Sequence, residues 1–155
     1  MAASDRLCID ACLYITHVMP DEDSAAVSAL LREWRQAGAS IVAPTLFRCE
    51  CLNALRRAAI ADRLSAETAD IIREQILTFP VQLVALEDRA EEIWLRFVVE
   101  LELPTVYDSL YLAVADDLGC ELWTEDHRLY RAVHDHLPWV RCPSLETRAG
   151  GSPPQ

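Results

Sequence analysis

The sequence predicts a three-layer α/β fold in which a mostly parallel sheet of four or five strands is flanked by helices. Three observations carry this expectation. Short apolar runs alternate with longer segments of helical periodicity. Cap residues, prolines and glycines stand at the junctions between them. The resulting order of strand, helix, strand, helix requires crossover connections, and so a parallel sheet covered on both faces.

Each element follows from its residues. Residues 6–10 read as a buried strand, and residues 11–18 as a short helix broken near Pro20. Asp21-Glu22-Asp23-Ser24 places negative charge and a cap at a helix start. Val27, Leu30, Leu31 and Trp34 then recur at helical spacing until Gly38. Ile41-Val42-Ala43 is a second strand, closed by Pro44. Residues 45–60 form a helix with Leu46, Phe47, Ala54 and Leu55 among its apolar positions. Ser65 caps another that runs to about Thr78.

Val81 to Leu86 is the third strand. Residues 87–102 carry the clearest amphipathic pattern, with Ala90, Ile93, Trp94, Phe97, Val98 and Leu101 on one side. Its acids read as a solvated face. Pro104-Thr105 starts a helix through Asp117 that Gly119 ends. Glu121 to Thr124 is a fourth strand, residues 126–133 a short helix, and Trp139 to Arg141 an edge strand. Residues 1–147 are expected to form one domain, and the Gly/Ser/Pro-rich residues 148–155 a disordered tail.

Composition excludes several chemistries. The chain has 155 residues, and all 14 of its basic side chains other than histidine are arginine. Without lysine it cannot carry a P-loop or a Schiff-base enzyme. No apolar run approaches the ~20 residues of a membrane span. The first residues lack a secretion pattern, so the expected location is the cytoplasm. Six cysteines without a Cys-x-x-Cys pair fit a reduced protein and argue against zinc binding. The net charge of −11 is unevenly spread. Residues 87–126 hold twelve acidic and two basic side chains, whereas residues 32–63 hold three acidic and six basic.

Four acids stand where carboxylates need compensation. Asp10 closes the apolar run Leu7-Cys8-Ile9, and Asp126 follows Leu122-Trp123-Thr124. Asp108 lies on the stripe of Tyr111, Leu112 and Ala115, and Glu50 shares a face with Leu46, Phe47 and Ala54. Each has an ordinary alternative. Asp10 and Asp126 can be helix N-caps, Asp108 a first-turn carboxylate, and Glu50 a partner of Arg57. Together they point to a divalent cation and metal-assisted phosphoryl chemistry. In parallel sheets ligands bind beyond the carboxyl ends of the strands, where Asp10 and Asp126 stand.

The chain resembles the PIN-domain family, and more narrowly its VapC-type toxins. The matching stretches are Cys8-Ile9-Asp10-Ala11, Ala43-Pro44 followed by Glu50-x-x-Asn53-Ala54-Leu55, Leu103-Pro104-Thr105-x-Tyr107-Asp108-x-x-Tyr111-x-Ala113-x-Ala115, and Leu122-Trp123-Thr124-x-Asp126-x-x-Leu129. They fall in order across residues 6–141.

The resemblance implies a PIN-like fold and a ribonuclease using Mg²⁺ or Mn²⁺ held by Asp10, Glu50, Asp108 and Asp126. It implies supporting roles for Asn53 and Thr124, a cognate antitoxin, and a homodimer formed by early helices. Val27, Leu30 and Trp34 fit that interface or plain core equally well. Cys12 departs from the Ser or Thr that many relatives carry, and a thiol is the poorer partner for a hard ion. Arg48, Arg56, Arg57 and Arg63, in the basic region, are the candidates for holding RNA phosphates. Two alternatives stay open: a non-toxic RNA-processing nuclease, and a catalytically weak PIN-like module that binds RNA or protein.

Overall fold

The central sheet is parallel throughout. Its strands are β1 (Arg6–Ile9), β2 (Ser40–Pro44), β3 (Gln82–Val84), β4 (Glu121–Trp123) and β5 (Val140–Arg141), in spatial order β3-β2-β1-β4-β5. The structure is a computed structural model that describes residues 5–20 and 24–149. Cys8 pairs with Val42 on one side and Leu122 on the other, and all three are fully buried. A strand covered on both faces reads as an unbroken apolar run, which is why β1 and β2 were legible.

Among the described residues eight helices flank the sheet in three layers: α1 (Ala11–Val18), α2 (Ala25–Gln36), α3 (Phe47–Ile60), α4 (Ala66–Thr78), α5 (Ala90–Ile93), α6 (Val106–Leu118), α7 (His127–Val133) and α8 (Pro143–Ala149). None is long and apolar enough to cross a membrane. Helix α6 lies against β1, β2 and β4, and buries Leu112, Val114 and Ala115 completely. Full burial of a Leu or Val side chain contributes about 1.5–3 kcal/mol. Gly119 ends this helix at φ +60°, a left-handed conformation that favours a residue without Cβ.

Val27 and Trp34 of α2 are buried, with Trp34 meeting Trp123 of β4 edge-on at 5.2 Å between ring centres. They belong to the core of the chain, so these two side chains are not available to a second copy. Ser65 caps α4 by accepting from the Thr68 N–H, as its sequence position suggests. Ser24 precedes α2 without a side-chain cap bond, and Asp21 to Asp23 lie outside the described residues.

One expectation needs correction. The predicted single helix over 87–102 is instead a 3₁₀ turn at Glu87–Arg89, the short α5, and a π-helical stretch at Trp94–Val99. The wider ladder carries the chain to Leu103, whose N–H donates to the Val98 carbonyl at 3.0 Å. Ile93, Phe97 and Leu103 are buried, while Trp94 turns out to solvent and is 48% exposed. Arg89 and Arg96 pair with Asp117 and Asp116 of α6, so this segment's basic side chains tie it to its neighbour. Helix α8 takes in Arg148 and Ala149, beginning with Pro143 at a first-turn position where proline is pre-organised. Residues 150–155 lie outside the described residues.

Candidate active site

The chain runs to opposite sides of β1 through β2 and β4, so the strand order reverses between β1 and β4. Ligands bind at such a switch point, past the carboxyl ends of the strands. Asp10 follows β1 there, and Thr124 to Asp126 follow β4. The Asp10 N–H donates to the Trp123 carbonyl at 3.2 Å, which fixes the two strand ends side by side.

Asp10 is both an N-cap and a buried anion. Its Oδ1 accepts from the Leu13 N–H at 2.7 Å, capping α1, and its Oδ2 accepts from the Thr124 hydroxyl. The residue is 5% exposed. Burial pushes its pKa up to about 7; the Thr124 and Leu13 hydrogen bonds oppose this, and the charges of Asp126 and Glu50 add to it. Thr124, fully buried, also accepts from the Asp126 N–H at 2.8 Å, so one hydroxyl connects the two strand-end acids.

Asp126 caps α7 through Oδ1, which accepts from Arg128 N–H at 2.9 Å and Leu129 N–H at 3.0 Å. Asp108, in the first turn of α6, accepts from the Thr105 hydroxyl at 3.3 Å. A single guanidinium nitrogen, Arg128 Nη2, lies 2.9 Å from Asp108 Oδ2 and 3.0 Å from Asp126 Oδ2. Glu50 of α3 accepts from the hydroxyl of Tyr111, which is itself buried. Burial raises the Glu50 pKa, the Tyr111 hydrogen bond lowers it, and Asp108 raises it further. Burial and the Glu50 carboxylate keep the Tyr111 phenol protonated.

All four acids line one cavity of about 580 Å³, together with Cys12, Tyr111, Arg57 and Arg63. The predicted convergence is therefore present at the level of the cavity. Helix α3 contributes Glu50, Ala54, Arg57 and Ala58 from one helical face, and its C-cap Ala61 follows. Among the described residues the close metal-ligating trio is Glu125, His127 and Cys142, not a set drawn from the four acids. The reason is visible in their partners: Arg128 draws Asp108 and Asp126 to itself, and Tyr111 holds Glu50.

The other candidates separate. Thr124 is at the centre of the site. Asn53 is exposed on α3, off the cavity wall. Of the arginines, Arg57 and Arg63 line the cavity and Arg56 is exposed outside it. Arg48 reaches the other way, donating through Nη2 to the Phe79 carbonyl at 3.1 Å, with its Nε buried and unpartnered. Sequence reasoning gave no role to Arg128 or Tyr111. Tyr111 carried a signal, three residues after Asp108 on the same helical face. For Arg128 the signal was its place two residues after Asp126.

The profile of the PIN domain matches residues 7–134 of this chain. No curated protein matches it. Two solved structures are similar in fold. Mycobacterium tuberculosis VapC20, a sarcin-ricin loop cleaving toxin, has a TM-score of 0.61 at 16% identity, covering 82% of this chain and 95% of its own. PAE2754 from Pyrobaculum aerophilum has a TM-score of 0.65 at 24% identity, covering 96% of this chain and 92% of its own. With most of its length matched by the family profile and a strand-end acid cavity in place, the chain belongs to the PIN-domain family and is a nuclease in kind.

Proposed function

We propose that this chain is a Mg²⁺- or Mn²⁺-dependent endoribonuclease and the toxin of a toxin–antitoxin pair. One observation carries the reading: Asp10, Glu50, Asp108 and Asp126 line a single cavity, and among the described residues the buried Asp10 carboxylate is held only by neutral donors. An anion in that position favours a cation beside it. The donors are carboxylate oxygens, which suit a hard ion, and Asp10, Glu50, Asp108 and Asp126 are the residues that would hold it. A bound Mg²⁺ or Mn²⁺ supplies an activated water and charge stabilisation at a phosphodiester.

The chain's own groups set the stage for this. Leu13 and Thr124 fix both oxygens of Asp10. Tyr111 orients Glu50. Arg57 and Arg63 give the cavity a positive wall on which phosphates of the RNA strand can rest. Arg57→Gln should weaken RNA binding severalfold and flatten its dependence on salt by about one phosphate contact. Fluorescence anisotropy across a salt series measures both, and an unchanged slope would remove Arg57 from the interface.

Arg128 holds the place of a cation between Asp108 and Asp126. It is about half exposed, and exposed ion pairs contribute roughly 0.2–1 kcal/mol each. Releasing two of them corresponds to a gain of up to about thirtyfold in cation affinity. Arg128→Gln should therefore bind Mn²⁺ more tightly by calorimetry, and weaker binding would show that Arg128 supports the ion's site instead.

The function is tested by incubating the full chain with transfer, messenger and ribosomal RNAs, with Mn²⁺ or with a chelator, and mapping the new 5′ ends. The mycobacterial neighbour's named target puts a sarcin-ricin loop hairpin in that panel. Discrete metal-dependent cuts support the nuclease reading. Growth arrest on induction, relieved by a small protein encoded beside it, supports the toxin and antitoxin reading. Such an antitoxin has a natural anchor here, a basic side chain entering the acid cavity, and homodimerisation is part of the same proposal. Metal binding without cutting any RNA would favour the catalytically weak module. Cutting without growth arrest would favour an RNA-processing nuclease.

A further inference from the structure

Glu125 and His127 flank Asp126 in sequence but do not line the acid cavity. They meet a third group from another part of the chain. Cys142, just after β5, comes close enough that one donor atom from each of the three lies within 4.8 Å of the others. His127 Nε2 is 3.5 Å from Glu125 Oε2. Two light-atom ligands bound to one tetrahedral zinc at ~2.0–2.1 Å stand roughly 3.4 Å apart, and a sulfur ligand at ~2.3 Å stands only slightly farther. The spacing already approaches a zinc-ligand edge.

The donor set is selective. A thiol, an imidazole and a carboxylate together suit zinc and suit Mg²⁺ poorly, because a hard ion gains little from sulfur. Cys142 is fully buried, and the Glu125 side chain is 8% exposed, whereas that of His127 is 40% exposed. Two ligands are thus held by packing, and the third stands at an opening to solvent. Among the described residues no arginine pairs with Glu125. Its carboxylate accepts from the Ser144 N–H at 3.1 Å, and the Ser144 hydroxyl lies 2.7 Å from His127 Nε2 and 3.7 Å from Cys142 Sγ. Ser144 thus touches all three side chains, and its hydroxyl, beside two of them, is placed to serve as a fourth, oxygen ligand.

We propose that Glu125, His127 and Cys142 form a structural zinc site, distinct from the acid cavity, that staples the turn after β4 to the start of α8. Asp126 lies between two of the three ligands, so zinc here fixes the position of a cavity acid. The site does not depend on the chain being a ribonuclease.

The test is a titration of metal-free, full-length protein with Co²⁺, followed by absorption spectroscopy. With millimolar Mg²⁺ present to occupy the acid cavity, one Co²⁺ per chain should bind with tetrahedral visible bands and a thiolate-to-cobalt charge-transfer band. Zn²⁺ should displace it, and millimolar Mg²⁺ should not. Cys142→Ser should abolish the charge-transfer band, and His127→Gln should weaken Zn²⁺ binding by at least about tenfold. Asp10→Asn and Cys12→Ser should leave the spectrum unchanged, which separates this site from the acid cavity and from its exposed thiol. Wild-type protein without a thiolate band would overturn the proposal. So would a band that survives Cys142→Ser, or one lost in Cys12→Ser. If Cys142→Ser does not fold, the partly exposed His127→Gln decides alone, and unchanged Zn²⁺ affinity in that variant sinks the site.

Discussion

Asp10→Asn should reduce metal-dependent RNA cleavage by at least about a hundredfold while leaving the fold intact, because it removes the central anion and keeps the cap. Loss of an electrostatic group at a reacting centre costs on the order of 10²–10³ in rate. Asparagine is as good an N-cap as aspartate, so the bond from the Leu13 N–H to Oδ1 survives. The side chain keeps its volume in a site that is only 5% exposed. Initial rates at saturating Mn²⁺, with circular dichroism as the control for folding, measure this. A folded Asp10→Asn protein that cuts as fast as wild type would end the assignment of Asp10.

The second large effect is on stability and has the opposite sign from that of an ion-paired aspartate. In the unfolded chain Asp10 ionises near pH 4, and in the fold burial delays this to about pH 7. At pH values below both, Asp10 is protonated in either state and imposes no penalty. As pH rises between them, the unfolded chain releases a proton that the fold retains, so stability falls. Above about pH 7 the whole penalty is present, on the order of 4 kcal/mol. Glu50 shifts in the same direction, again chiefly through burial. Glu146, held below its ordinary pKa by Arg141, shifts the other way and matters at more acid pH.

Chelator-treated wild-type protein should therefore lose stability to urea between about pH 4 and about pH 7, and Asp10→Asn should flatten that slope. At the alkaline end the variant should be the more stable of the two. Mn²⁺ should restore the wild type at about pH 8 and do less for the variant, since a ligand of the folded state stabilises by mass action. Equal slopes in the two proteins would mean that Asp10 is not the buried anion described above.

Much of this was legible because its physics is local. Buried parallel strands are apolar runs, so β1 and β2 could be read directly, and Ser65 and Gly119 mark helix ends by their own backbone and side-chain chemistry. The acids were legible because a carboxylate at the end of an apolar run is costly wherever the chain goes. Even the ordinary alternatives were right in part: Asp10 and Asp126 are N-caps as well as cavity acids. The segment 87–102 was misread because periodicity assumes a ladder of i+4 bonds. Whether a turn widens to i+5 depends on what the helix packs against, here α6 and the core site filled by Leu103.

The sequence by itself determined the layered fold, the positions of the strand-end acids and the absence of any lysine to serve them. It could do so because burial, capping and periodicity act between residues close in the chain. The tertiary structure alone decided which groups meet the acids: Thr124 between Asp10 and Asp126, Tyr111 on Glu50, and Arg128 between Asp108 and Asp126. It also turned Arg48 toward Phe79 while leaving Arg57 on the cavity wall. Direction on a helix and distance across a sheet are set by packing, and hydrogen bonds and ion pairs weaken steeply with small changes in both.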